Sequence, residues 1–347
     1  MRTSHLQRDI DRFRAQLLRM ELRATSKLTD AYRDVLTALD ARIVAVSRMV
    51  ADAQASGIVV NESWLFQQER YQELRRQVLA SLDRYAAQTQ QIATAAQRAA
   101  VQMSLAQASS MLAPVSGGSG GALAELVSGW AQLPNDAIIR MVGALQQGTP
   151  LVRSLDRYGP DAVERITDVL VRGLALGQGA DETARQLRSS VNITRASAES
   201  LVRTETMHAS RGAMIAAYQE SGVVRGWRWA ASRSARSCPA CLSLDGRVFE
   251  LRAPMRFHVN CRCTVSPVLR GEPDEPDYET GTQWLAQQDA DVQRQVLGVG
   301  GQQAYAAGDA QLSDFVKLSH NPTWGASYHD GGIGYALKQA EKRGKST

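Results

Sequence analysis

Cys238-Pro239-Ala240-Cys241, followed after a gap by His258-Val259-Asn260-Cys261-Arg262-Cys263, holds every cysteine of the 347-residue chain. A C-x2-C pair bends the backbone into a knuckle that aims two thiolates at one ion, and a second donor group further along closes a tetrahedron. Thiolate and imidazole are soft donors. The pattern therefore selects Zn²⁺ over Mg²⁺ or Ca²⁺, and its spacing departs from the usual iron–sulfur runs. Five groups compete for four positions. His258 and Cys261 are three residues apart and can share one face of a helical turn, which favours Cys238, Cys241, His258 and one of Cys261 or Cys263. The other set is the four cysteines alone, with His258 behind them. With three or four thiolates and no open position, such a zinc is structural. Two disulfides are the competing reading, but a chain with no other cysteine is not patterned as a disulfide scaffold. Asp245-Gly246, between Leu244 and Val248-Phe249, reads as a β-hairpin turn, since Gly supplies the positive φ such turns need.

Working outward, arginines crowd this stretch. Arg225, Arg228, Arg233, Arg236, Arg247, Arg252, Arg256, Arg262 and Arg270 stand against Asp245 and Glu250 alone. Interleaved with Trp227 and Trp229, they form a candidate contact surface for DNA phosphates or for an acidic protein face, and an ordinary solvated surface is the plainer reading. The net charge of the whole chain, +5, is small for its length. There is no apolar run long enough to span a bilayer and no signal-like N-terminus, so the expected setting is a reducing cytoplasm that keeps thiolates available for metal.

Upstream the pattern is helical. Ile10, Phe13, Leu17, Leu28, Tyr32, Val35, Leu39, Ile43 and Val46 recur at three- and four-residue steps, as do Leu65, Leu74, Val78, Leu82, Tyr85, Ile92, Val101 and Leu105 after a break near Gly57. Two long helices packed as an antiparallel hairpin would bury both stripes, or each stripe docks on a partner subunit. The Ala/Gln-rich part, 86–110, reads as partner-supported or mobile. Residues 114–121 are a Gly/Ser linker with no phosphate-loop ending. Helical stripes follow over 122–147 and 161–177, a helix starts at Asp181, and a longer one covers Ala196–Ser221. On it, Arg203 reads as a buried or interfacial anchor, and Glu205 with His208 as a polar i, i+3 pair and not as catalytic machinery.

Beyond Pro267 comes an acidic, extended connector, 271–277. An amphipathic helix over Thr282–Val296 follows, ending at Gly298, then a turn-rich stretch with His320, Pro322, Trp324 and His329, and a frayed end from Ala340. The expected fold is mainly α: a helical arm (1–113), the linker (114–121), a helical domain (122–224), a small α+β zinc-stabilised module with a β-hairpin (225–270), and a C-terminal helix and tail (271–347).

The cysteine stretch resembles the zinc-binding signature of phage head-morphogenesis (Mu F-like) minor head proteins, which has a Trp, a C-x2-C, a Leu-x-Gly turn and H-P-x-C-R-C. The matching residues are Trp227 or Trp229, Cys238 and Cys241, Leu244-Asp245-Gly246, and His258 through Cys263. Gly173-Leu174 through Gly177, Ala180 through Ala184 and Arg203-Thr204-Glu205 resemble the family's approach to the signature, and the likeness extends over about 160–315. Val259 replaces the family's Pro, and Ser234 stands where an Asp often precedes the cysteines. The resemblance implies a non-enzymatic protein of the virion. It would associate with the portal protein at the portal vertex in procapsid assembly, lie in the head interior, and meet capsid or scaffold protein and packaged DNA. A zinc-supported nuclease using His258 and a non-specific DNA-binding protein are the alternatives. The nuclease needs a second metal-binding or basic His and a carboxylate close to His258, and the sequence places neither beside it.

Overall fold

A computed structural model describes residues 5–112, 150–175, 178–321 and 325–345. The readings of 114–121 as a linker and of 122–147 as helix lie outside the described residues, as do those made on Gly177, Pro322 and Trp324. The fold is mainly helical with small antiparallel sheets. Contacts divide the chain into two compact units, each assembled from separate stretches.

One unit comprises 21–96 and the described part of 143–205. It takes most of α1 (His5–Ala55), the short α2 (Glu62–Gln67), the first part of α3 (Glu69–Leu112), α4 (Pro150–Asp156), α5 (Tyr158–Ala175) and the first part of α6 (Ala180–Glu220). Asn61 caps α2 by accepting from the Trp64 N–H, just after the break at Gly57 (φ 73°). The chain then returns antiparallel: Tyr32 meets Tyr85 edge-on at 5.4 Å, and Arg42 pairs with Glu73 at 3.2 Å.

A partner subunit is not needed to cover the two stripes. On α5, Thr167 shares a 2.7 Å hydrogen bond with Tyr71, and Tyr158 stacks near Tyr85. On α6, Arg188 donates to Asp40 and Glu199 accepts from Thr29. Leu28, Leu39, Leu74, Val78, Leu82, Leu170 and Leu187 are fully buried in this unit, each contributing roughly 1.5–3 kcal/mol of transfer free energy. The two helices read over Asp181 and Ala196–Ser221 are one, α6, because no glycine or proline interrupts the chain between Asp181 and Ser210.

The other unit combines 1–20, the described part of 97–142, and 206–347. Here the Ala/Gln-rich end of α3 is buried against α6 of the same chain, in place of the partner-supported or mobile segment read from its weak apolar content. Val101 and Leu105 pack on Ala209 and Ala213, and the Ser104 and Ser210 hydroxyls are 2.7 Å apart. Small side chains let the two helices approach closely, so alanine and serine do the packing that leucine does elsewhere.

After α6 the chain forms β1 (Val224–Ala230), α7 (Pro239–Leu244), β2 (Val248–Glu250) and β3 (Thr264–Leu269). The sheet order is β2-β1-β3, with both pairs antiparallel. Trp227 and Trp229 lie two apart on one face of β1 and are wholly buried, stacked on Phe249 at 4.4 Å and on Phe257 at 3.9 Å. They are core residues, which removes them from a nucleic-acid surface.

Asp245-Gly246 (Gly246 φ 88°) is a turn from α7 into β2, not the expected hairpin. Leu244 lies on a helix that Cys238 caps and Pro239 starts, and the chain leaves it at Asp245 in extended conformation. The antiparallel pair adjacent in sequence lies further on, β4 (Val316–Asn321) with β5 (Gly325–Asp330), in the stretch read as turn-rich. The helix read over Thr282–Val296 is two, α8 (Gly281–Ala286) and α9 (Ala290–Ala307). Asp289 caps the second, and Gly298 (φ 73°) kinks it without ending it. The closing helix α10 runs Gly332–Gly344, where a frayed end was read.

A Cβ on Gly226 would lie 2.6 Å from the Phe249 carbonyl oxygen. Gly226→Ala should therefore push β2 off β1 and cost about 1–3 kcal/mol, measured as a lower denaturation midpoint with an unchanged m-value.

Candidate metal centre

Three short stretches bring the donors together. Cys238 is the N-cap of α7: its sulfur accepts from the Cys241 N–H at 3.3 Å, and one helical turn then places both sulfurs on the same side. His258–Cys261 is a β-turn and not the helical turn expected, with the Cys261 N–H donating to the His258 carbonyl at 3.2 Å and Asn260 at φ 63°. A positive φ at the third turn position suits asparagine, and the second is where proline fits best. Val259 occupies that second position. Beyond the turn, Cys261 and Cys263 alternate with Arg262, and both sulfurs reach the site.

His258 Nε2 is 3.2 Å from Cys238 Sγ and 3.1 Å from Cys241 Sγ, and Cys241 Sγ is 3.7 Å from Cys261 Sγ. The donor atoms of Cys238, Cys241 and His258 lie within 4.8 Å of one another, as do those of Cys241, Cys261 and Cys263. Sulfurs around a tetrahedral zinc, with Zn–S near 2.3 Å, sit about 3.8 Å apart. His258 Nδ1 faces the Val259 carbonyl at 2.7 Å. A proton on Nδ1 donates there and leaves the Nε2 lone pair aimed at the sulfurs, as a metal-bound imidazole requires. The donor set thus fits a soft dication. Among the described residues no carboxylate belongs to the cluster.

The charges point the same way. A hydrogen bond with Cys241, ahead of the opposing effect of burial, brings the Cys238 thiol down to about 5. Burial would raise Cys261, but hydrogen bonds from Cys241 and Cys263 and the charge of Arg211 carry it well below the ordinary thiol range. Burial would lower His258, yet its hydrogen bonds to Cys238 and Cys261 outweigh that and push it up to about 11. Hydrogen bonds with Cys238, Cys261 and Cys263 carry Cys241 well above the ordinary thiol range, and Cys263 is raised too, its bond to Cys241 outweighed by Cys261 and burial. Two thiolates thus face two thiols and a protonated imidazole, and a dication would bind by displacing those protons.

Sequence reasoning missed Arg211. Buried on α6, it donates from Nε to the Cys263 carbonyl at 2.9 Å and from Nη2 to the Cys261 carbonyl at 2.7 Å, with its guanidinium 4.0 Å from the Phe257 ring centroid. The only signal was an arginine in a small-residue stretch, Ala209-Ser210-Arg211-Gly212-Ala213. Arg203, read as the anchor, makes a 2.5 Å bond to buried Glu21 in the other unit. Glu205 is buried there as well.

The arginines read as a contact surface divide. Arg228 is 1% exposed and donates to Glu272 and to the Pro273 and Asp274 carbonyls, while Arg225 holds Asp274 at 2.5 Å. Arg233 lies over Tyr278, donates to the Glu279 carbonyl and approaches Asp245 and Asp11. Arg228 and Arg233 thus turn their charge inward, Arg228 to the acidic connector and Arg233 to Asp245, Asp11 and the Glu279 carbonyl. Asp245 accepts from the Ala231 N–H at 2.7 Å, and burial raises its carboxyl to about 6. Arg236 is exposed, Arg262 half-buried, and Arg256 leans on the Tyr328 ring.

The model of a known family spans this centre: Phage Mu protein F like protein matches residues 164–266. Over those residues the chain is similar to the Phage Mu protein F like family. The matched segment contains Arg203, Arg211, the four cysteines and His258, and the family suggests a phage head-morphogenesis protein. No curated protein and no solved structure matches the chain. No described helix is long and apolar enough to cross a membrane.

Burial, then the nearby Arg211 charge, holds His208 neutral down to about pH 4, whereas an unfolded His protonates near 6.5. Between those values the unfolded chain binds the extra proton. Stability is thus full above about pH 6.5 and falls on acidification, by about 1.36 kcal/mol per pH unit for one proton. His208→Gln should show a slope one proton shallower over that window in denaturant titrations.

Proposed function

We propose that this chain is a structural minor head protein of a tailed phage, joining the portal vertex during procapsid assembly and lying in the head interior beside packaged DNA. The observation that carries this reading is the match over 164–266, a segment that holds the whole thiolate–imidazole cluster. The cluster offers soft donors with no carboxylate among them, a set that suits a structural Zn²⁺ held by Cys238, Cys241 and His258 with Cys261 or Cys263. Bound zinc supplies a cross-link: it ties α7, the turn before β3 and the start of β3 to one point. The chain's own residues do the rest, through the Trp–Phe stack beneath and the arginine behind. Arg236, Arg247, Arg252 and Arg270 remain exposed around the module and supply a basic face for phosphates or for an acidic surface of the portal protein.

Elemental analysis should find one zinc per chain, absent from the Cys238→Ser/Cys241→Ser double variant. Since zinc binding free energy is also folding free energy, chelation should lower the melting transition of the unit holding the cysteines and leave that of the unit built on 21–96 in place. An unchanged melt after confirmed metal loss would count against structural zinc.

The head assignment is tested separately. The chain should co-sediment with the portal protein of its own phage and appear by mass spectrometry in purified heads. Its absence from heads that are otherwise complete would overturn the reading.

A further inference from the structure

Two carbonyls of the C-x-C segment face a residue that lies outside the cysteine signature. Arg211 reaches Cys261 O at 2.7 Å with Nη2 and Cys263 O at 2.9 Å with Nε, from a side chain that is 2% exposed. In extended chain, residues two apart send their carbonyls to one edge and their side chains to one face. Cys261 and Cys263 follow that alternation, with both sulfurs within 4.8 Å of Cys241 Sγ. A planar fork that engages both carbonyls fixes the tilt of the segment, and with it the direction in which both thiols point. The same guanidinium lies on Phe257, whose ring stacks on Trp229 at 3.9 Å and whose neighbour is His258. One arginine thus bears on both arms of the second donor group, the imidazole through Phe257 and the thiols through their carbonyls.

From this we infer that Arg211 is a positioning residue of the metal centre, presetting the His258–Cys263 segment so that its donors converge before an ion arrives. The inference rests on the zinc reading above. The side chain touches no donor atom and acts through the backbone that carries them. Partners behind metal ligands typically account for 10- to 100-fold in metal affinity. Lysine at this position keeps a cation and an aliphatic stem but cannot fork to two carbonyls at once.

The test uses the full chain with Co²⁺ as the probe, since its visible absorption reports thiolate number and tetrahedral geometry, and with a chelator competing for Zn²⁺. In wild type the expectation is a tetrahedral, thiolate-rich Co²⁺ spectrum. Arg211→Lys should keep wild-type helical circular dichroism, bind Zn²⁺ 10- to 100-fold more weakly and show an altered Co²⁺ spectrum; Arg211→Ala should be weaker still. A folded Arg211→Lys with wild-type affinity and spectrum would overturn the inference and leave zinc binding intact. Failure of both variants to fold in excess zinc would also overturn it, because the arginine would then be holding helix packing and not the site. If wild type itself binds neither ion, the zinc reading fails first, which separates the two.

Discussion

Close approach of α3 and α6 is the constraint on which the cysteine-bearing unit depends. Ser104 and Ser210 meet at 2.7 Å only because alanines flank them on both helices. The next residue along α6, Arg211, is turned by about 100° from Ser210, away from α3 and toward the C-x-C segment. A bulkier side chain at Ala209, Ser210 or Ala213 would move the helix axis outward and lift the fork from its two carbonyls. Helix packing and the geometry of the cysteine cluster are thus one problem in this unit, solved by small residues in a stretch whose hydropathy is unremarked.

That stretch marks a limit of sequence reading. The cluster was legible because soft-metal chemistry dictates residue type and spacing, and the side chains of Cys238, Cys241, His258, Cys261 and Cys263 lie close together. The long stripes of α1 and α3 were legible because period and burial coincide. Small-residue packing leaves no hydrophobic signal, so the Ala/Gln-rich half of α3 read as weak and Arg211 went unnoticed. Sheet structure was expected in this module, but the strand β1 went unread for another reason. Val224-Arg225-Gly226-Trp227-Arg228-Trp229-Ala230 alternates as a strand does, yet its arginines drew the eye toward a surface. The Asp245-Gly246 turn was read rightly as a turn and wrongly as a hairpin, since a positive φ at glycine serves a helix-to-strand exit equally well.

The arginines teach a related lesson about charge. A cluster of like charge in sequence looks like a binding face until its partners are placed. Here the acidic connector folds back so that Glu272, the Pro273 carbonyl and Asp274 take up Arg225 and Arg228, while the Glu279 carbonyl and Asp245 attend Arg233. A buried guanidinium needs several acceptors, and carbonyls of an irregular segment supply them without a repeating pattern. What faces solvent is a smaller and differently distributed set.

The core of the cysteine-bearing unit gathers Phe13 and Leu17 from the first helix together with Phe315 and Ala336 much further along the sequence. The strand β5 joins it through the Tyr328 N–H, which donates to the Arg256 carbonyl at 2.8 Å on the loop leading to His258. Synthesis runs from the N-terminus, so the opening turns of α1 emerge long before their partners exist. The cysteine knuckle likewise leaves the ribosome ahead of the strand that backs its second donor group. This unit closes only once the residues up to Ala336 are made, and until then its apolar helix end is exposed to whatever surrounds the nascent chain.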